Sequence, residues 1–186
     1  ENGPLWLAAQ RQTAGRGRQG RAWDSPAGNL FATAYFPFAG TLSRAALVSF
    51  AAGLAVIDAA TALGAEPGVL GLKWPNDVLA EDAKLAGVLV ETAYAQGALH
   101  LAAGFGVNVE TAPALPDRTT CRLRDLPGCG GATAGDVLDQ LDRAFRARLA
   151  ALDAEGFEPT RQAWLALAVH LGRLVETRTA GGVVSG

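Results

Sequence analysis

The chain has 186 residues, a length that suits one domain with room for part of a second. Apolar residues make up 49% and charged residues 18%, which excludes a disordered chain, since disorder needs low hydrophobicity and high net charge. A formal charge of -2 supplies no overall field to draw in nucleic acid or an anionic membrane, so cation-driven chemistry has to come from local clustering.

Residues 5–10 form a short apolar run that reads as a strand. Residues 11–28 are rich in Gly and Arg without apolar period and read as a loop. The aromatic-rich segment 29–36 predicts a strand ended by Pro37. Ser43 is the expected N-cap of a long helix running to about residue 63, with Gly64 as its stop. A strand over 69–74 leads to the turn chemistry of Pro75-Asn76-Asp77, where proline fixes φ and the Asn and Asp side chains bond back to nearby backbone. Strand character resumes at 78–79, turns over 81–83, returns over 85–92, turns at Gln96-Gly97 and continues over 99–109, a meander expected to be antiparallel. From Asp136 the spacing of Val137, Leu138, Leu141, Phe145, Leu149 and Leu152 predicts an amphipathic helix, and a second follows over 159–168. Residues 174–179, Gly181-Gly182 and Val183-Val184 read as a hairpin that has only begun. The expected fold is α+β, a mixed or antiparallel sheet packed against helices, with residues 1–170 as the main domain and 171–186 as the start of a small C-terminal β domain.

Cys121 and Cys129 form no CxxC pair and only two histidines could complete a metal set, which argues against a zinc site. Nor do two cysteines make a disulfide scaffold, and no signal peptide is visible, so the cytoplasm is the expected compartment. The Ala-rich stretch 47–63 comes closest to a membrane span, but Ser49, Asp58 and Thr61 interrupt it. The sequence contains no methionine, so residue 1 is not expected to be the native start.

Gly15-Arg16-Gly17-Arg18-Gln19-Gly20 satisfies GxGxxG, but it runs on into Arg21-Ala22-Trp23-Asp24-Ser25-Pro26 rather than opening a helix, so it is not a dinucleotide fingerprint. No Gly-Lys-Ser/Thr closes it as a phosphate-binding Walker loop. Its distinguishing feature is cationic: Arg11, Arg16, Arg18 and Arg21 lie close together, and no acid lies between Glu1 and Asp24. Glycines allow close approach of backbone to a ligand, and arginines offer bidentate forks to carboxylate and phosphate. Taken alone, such a run equally fits a solvated basic loop or a nucleic-acid contact. Trp23 reads either as core or as a platform for a purine ring.

Lys73-Trp74-Pro75-Asn76-Asp77 places a lysine at a strand end before a turn carrying an amide and a carboxylate, and Lys84 follows seven residues after Asp77. A hairpin of 73–79 with 84–92 would bring both lysines near one sheet face. Taken singly, each is as well explained by a solvated charge or a plain turn. Combined with the arginine loop, they suit the joining of a carboxylate to ATP, in which an anion attacks the α-phosphate. Fixed cations screen anion from polyanion, and a metal on the phosphates assists. Asp77 is the expected Mg²⁺ ligand, and Lys84 the cation at the reacting carboxylate and phosphate.

At this point a family resemblance emerges. Residues 12–23 resemble the biotin-loop signature of bacterial biotin protein ligases, Lys73 to Asp77 match their KWPND segment, Lys84-Leu85-Ala86-Gly87-Val88-Leu89-Val90-Glu91 is similar to their KLAGIL-type strand, and Gly104-Phe105-Gly106-Val107-Asn108 resembles their G-x-G-x-N segment. The four motifs stand in the family's order. The resemblance implies a class II aminoacyl-tRNA synthetase-like fold, with an SH3-like C-terminal β domain. It implies ATP, Mg²⁺ and biotin as reactants, biotinyl-AMP as intermediate, and a biotin carboxyl carrier protein of acetyl-CoA carboxylase as acceptor. A homodimer is compatible with it. Gln12, Gly15, Arg16, Phe31 and Gly87 would line the biotin pocket, with Lys84 at the biotin carboxylate and α-phosphate. Arg18 and Arg21 would hold the phosphates and retain the adenylate. Trp23 and Asn108 would meet the adenine, and Lys73, Asn76 and Asp77 would lie on the phosphate and metal side. The family's Ser-Thr-Asn segment, which normally precedes the arginine loop, is not in this sequence, and no helix-turn-helix is seen. A lipoate ligase shares the expected fold and adenylate chemistry, but the arginine loop and KWPND argue against it. A nucleic-acid binding module is disfavoured by the net charge of -2.

Overall fold

The computed structural model of the chain describes residues 3–116, 118–179 and 182–185. Six strands form one antiparallel sheet: β1 (Leu5–Ala9), β2 (Leu30–Pro37), β3 (Leu70–Lys73), β4 (Asp77–Ala80), β5 (Ala83–Ala95) and β6 (Ala98–Val107), in the spatial order β1-β2-β6-β5-β4-β3. The helices are α1 (Leu42–Ala62), α2 (Ala134–Glu155) and α3 (Phe157–Ala166). A separate hairpin pairs β7 (Glu176–Thr179) with β8 (Gly182–Ser185), where the sequence predicts one; Gly181 of its expected turn lies outside the described residues.

Alternation along β6 explains the layering. Leu99, Leu101, Ala103, Phe105 and Val107 are buried beneath the helices, whereas His100, Ala102, Gly104 and Gly106 point to the other face. Phe145 of α2 is fully buried against the sheet, with the rings of Trp6, Phe36 and Phe105 edge-on to it at 6.2, 6.0 and 5.3 Å. By length and composition α1 could cross a membrane. Its small residues Ala51, Ala52, Ala55, Ala59 and Ala60 are instead buried where it packs on the sheet and on α2, and Arg148 of α2 clamps Asp58 of α1 at 2.7 and 2.9 Å.

Several boundaries move from expectation. The N-cap of α1 is Thr41, not Ser43: Thr41 is extended (φ -83°, ψ 162°) and its hydroxyl accepts from the Arg44 amide, whereas Ser43 is already helical. Helix α2 starts two residues before Asp136, because Thr133 and Asp136 form a reciprocal capping box.

With all three helices on one side, the opposite face of the sheet carries Phe31 and Thr33 of β2, Gly104 and Gly106 of β6, and Gly87 of β5, in register across the strands. So many small residues leave a concavity. A bulge in the β4–β5 pair then decides what overlooks it. Asp77 pairs with Gly87 and Val78 with Ala86, but Leu79 pairs with Lys84, so Leu85 is an extra residue. Strict alternation from Gly87 would send Lys84 to the helix-covered face. The inserted residue flips it to the side of Asp77.

Candidate active site

The concavity is a cavity of about 1350 Å³ whose lining includes Gln12, Arg16, Arg18, Arg21, Trp23, Phe31, Lys73, Asn76, Asp77, Lys84, Gly87 and Asn108. Residues from the four sequence motifs therefore converge on one site. Gly15 is not among these lining residues. A Cβ there would meet the Trp23 carbonyl at 2.5 Å and the Gln12 and Ser25 side chains at 2.8 Å, so its close approach is to the loop itself.

The arginine loop is a small internal hairpin rather than an open coil. Arg16 bridges Ala22, the Trp23 amide donates to the Gly15 carbonyl at 2.9 Å, and the Gly17 amide donates to the Arg21 carbonyl at 2.7 Å. The turn at its tip needs positive φ at Gln19 and Gly20. This fold puts Arg16, Arg18 and Arg21 at the cavity rim, exposed and in no ion pair among the described residues. At the base, Ser25 donates to the Gln12 side-chain carbonyl at 2.9 Å.

Trp23 reaches from the loop onto the floor. A Cβ at Gly106 would come within 2.6 Å of its ring, and one at Gly87 within 2.9 Å, so both glycines are needed for the indole to rest there. The Lys84 ammonium lies 4.9 Å from the ring centroid, within cation–π range. The indole Nε1 is buried without a hydrogen-bond partner among the described residues.

The opposite wall is built from paired charges. Asp77 is buried, and Lys84 Nζ lies 2.6 Å from its Oδ1 while Arg118 Nη1 lies 2.7 Å from its Oδ2. Two cations on one buried carboxylate meet the need of such a charge for compensation. Lys73, opposite Asp77 in the β3–β4 register, adds a third cation on the same side. Asn76 donates its amide to the Val88 carbonyl at 2.8 Å and accepts the Val88 amide on its own carbonyl at 2.9 Å, which locks the turn that presents Asp77.

Sequence reasoning missed two residues here. Arg118 belongs to no motif. Asn29 accepts the amides of Val109, Glu110 and Thr111 on one oxygen at 2.8–3.0 Å and donates to the Thr111 carbonyl, so it fixes how the chain leaves β6. Asn108 then donates to the carbonyls of Lys84 and Cys121, joining that segment to β5. Burial pushes the thiol of Cys121 beside it up to about 11, which favours the protonated form. Among the described residues no three His, Cys, Asp or Glu stand together as a metal cluster. The carboxylate among the sequence-predicted site residues is Asp77, and its two oxygens are engaged by Lys84 and Arg118.

Residues 2–108 match the model of the biotin/lipoate A/B protein ligase family. The chain is 40% identical over 183 residues to a biotin--[acetyl-CoA-carboxylase] ligase of Paracoccus denitrificans, covering 96% of this chain and 76% of that protein. To a protein of the same description from Mycobacterium tuberculosis it is 39% identical over 146 residues, covering 77% of this chain; it spans about half the length of that relative, 53%. Its fold is shared with a biotin protein ligase from Aquifex aeolicus solved with biotin and ATP (TM-score 0.73, 24% identity, 97% of this chain and 84% of that one). It is also shared with one from Leishmania major solved with biotin (TM-score 0.75, 22% identity, 99% and 85%). The expected α+β architecture, a mixed or antiparallel sheet packed against helices, is the architecture found, with the sheet antiparallel.

Proposed function

Because this chain belongs to the biotin/lipoate A/B protein ligase family, we propose that it is an ATP-dependent ligase that activates biotin as biotinyl-AMP and passes the biotinyl group to a lysine of the biotin carboxyl carrier protein of acetyl-CoA carboxylase. The observation that carries this reading is the placement of Lys84. The β4–β5 bulge turns it onto the open face, above the glycine floor and opposite the arginine loop, where a carboxylate and a phosphate would both be within its reach.

In the first step a biotin carboxylate oxygen attacks the α-phosphorus, a P–O bond forms, and the bond to pyrophosphate breaks. Lys84 offsets the repulsion between the two anions and stabilises charge on the phosphoryl oxygens. Arg18 and Arg21 at the rim hold phosphate oxygens and keep the adenylate from leaving. In the second step a lysine amine of the carrier attacks the acyl carbon and AMP departs. Gln12, Arg16, Phe31 and Gly87 are assigned to biotin. Trp23 and Asn108 are assigned to adenine. Both Asn108 amide donations go to backbone, so its Oδ1 is what it offers an exocyclic amine. Trp23 touches Gly87, so the two assigned subsites abut, as the reaction requires. Mg²⁺ on Asp77, Lys73 and Asn76 beside it, would neutralise part of the polyphosphate charge.

The test is biotin-dependent exchange of labelled pyrophosphate into ATP. Exchange with biotin supports the reading. Exchange with lipoate in its place would move the substrate to the other branch of the family, and none with either acid would refute the chemistry.

A further inference from the structure

Arg118 is held where it is by backbone as well as charge. The Lys84 amide donates to the Thr119 carbonyl at 2.9 Å and the Cys121 amide donates to the Lys84 carbonyl at 3.0 Å, a parallel bridge that sets residues 119–121 alongside the start of β5. Thr120 adds a hydroxyl bond to the Pro113 carbonyl at 2.6 Å. The residue just before this bridge therefore starts its side chain from a fixed point beside Lys84, and its guanidinium reaches Asp77 at 2.7 Å. Arg118 also borders both the main cavity and a smaller one of about 340 Å³ behind Asp77, and its side chain is 27% exposed, which leaves it room to swing.

Lys73, Lys84 and Arg118 gather about Asp77, and all four border the cavity. On the reading of the cavity as a nucleotide site, two arrivals compete for these groups. A divalent cation seeks the oxygens of Asp77, and a polyphosphate seeks the cations now bound to it. One exchange satisfies both.

We propose that Arg118 is a polyphosphate-binding residue that exchanges partners: it pairs with Asp77 until a nucleotide enters, then passes Asp77 to the accompanying divalent cation and takes the phosphate oxygens itself. Its planar fork of donors matches phosphate as well as it matches carboxylate.

The experiment is a calorimetric titration of the protein, with biotin present, against α,β-methylene-ATP and against AMP. It compares the unaltered chain with Arg118→Ala and Arg118→Lys, in Mg²⁺ and in EDTA. Loss of a charge-assisted phosphate contact should weaken α,β-methylene-ATP by about tenfold or more in Arg118→Ala under both conditions. AMP and biotin affinities should hold, and Arg118→Lys should recover part of the loss. The Mg²⁺ concentration that half-saturates the analogue effect should fall in Arg118→Ala, because Asp77 has lost a competitor. A purely structural role would not give these opposite signs. Equal affinity of Arg118→Ala and the unaltered chain for the analogue overturns the proposal, as does a parallel loss of AMP, biotin and analogue binding. If Arg118→Ala does not fold, full affinity in Arg118→Lys overturns it too. Failure of the unaltered chain to bind the analogue refutes instead the nucleotide reading on which the proposal rests.

Discussion

The two cationic walls of the cavity are built on opposite plans. On the loop side, Arg16, Arg18 and Arg21 stand at the rim on a short hairpin, exposed, with no acid paired to them among the described residues. On the sheet side, Lys84 and Arg118 are paired with a buried aspartate at 2.6 and 2.7 Å, and the backbone under them is tied by Asn29, Asn108 and the bridge to Lys84. Exposed cations are already solvated and meet an anion at small desolvation cost, so they suit capture and retention. A cation buried against its carboxylate, as Lys84 is, is pre-aimed and acts in a low-dielectric setting, where fixed charge stabilises a transition state best. The division between loop and sheet is therefore a division between holding and reacting.

The largest effect expected on this view is from Lys84→Ala. It should slow adenylate formation about 10²–10³-fold, the usual cost of removing a pre-aimed charge at the reacting atoms. Single-turnover formation of biotinyl-AMP measures it, and a rate within a few-fold of normal would erase the distinction between the walls. Asn29→Ala comes next. It strands three backbone amides behind the sheet wall and should lower stability by about 2–3 kcal/mol, read by urea denaturation. A loss confined to the loop side, seen as faster proteolysis at residues 11–24 only, would show that Asn29 supports the wrong wall. Arg18→Ala should leave adenylate formation within a few-fold of normal but release the adenylate about tenfold faster, the loss of one charged phosphate contact. A quench-flow partition between bound and free adenylate measures this, and unchanged retention would remove the holding role from the loop.

Legibility in the sequence follows the range of each interaction. The period-2 pattern of β6 and the helical spacing of Val137, Leu141, Phe145 and Leu152 are local, and they correspond to real elements. Asp77, Lys84 and the loop arginines stood out because short motifs carry them. Another signal was open to reading: the chain has only two lysines, Lys73 and Lys84, and both line the cavity. Arg118 and Asn29 were not legible, because their partners lie 41 and about 80 residues away and no local pattern encodes that meeting. The bulge at Leu85 is equally hidden, since a strand of plain apolar character does not announce an extra residue. The N-cap of α1 went to Ser43 because Thr41 and Ser43 are chemically interchangeable there; only the backbone angles at Thr41 separate them.

The smallest expected effect separates the walls by pH alone. Cys121 lies on the sheet side, its amide bonded to Lys84 and its carbonyl to Asn108, and burial raises its thiol from 9.0 to about 11. A group whose folded value is raised contributes stability that is fully present below its unfolded value and lost as pH climbs through the folded one. The window is therefore about pH 9 to 11, and the loss across it should be on the order of 1 kcal/mol once partial exposure is allowed for. Cys121→Ser keeps a donor for the Ala83 carbonyl but does not titrate in this range. Denaturant midpoints at pH 8 and pH 10.5 should thus fall further for the unaltered chain than for Cys121→Ser, while adenylate formation at pH 7.5 is the same in both. Equal slopes would mean that the thiol is solvated in the folded chain and that the sheet-side wall is less tightly packed around Lys84 than its hydrogen bonds indicate.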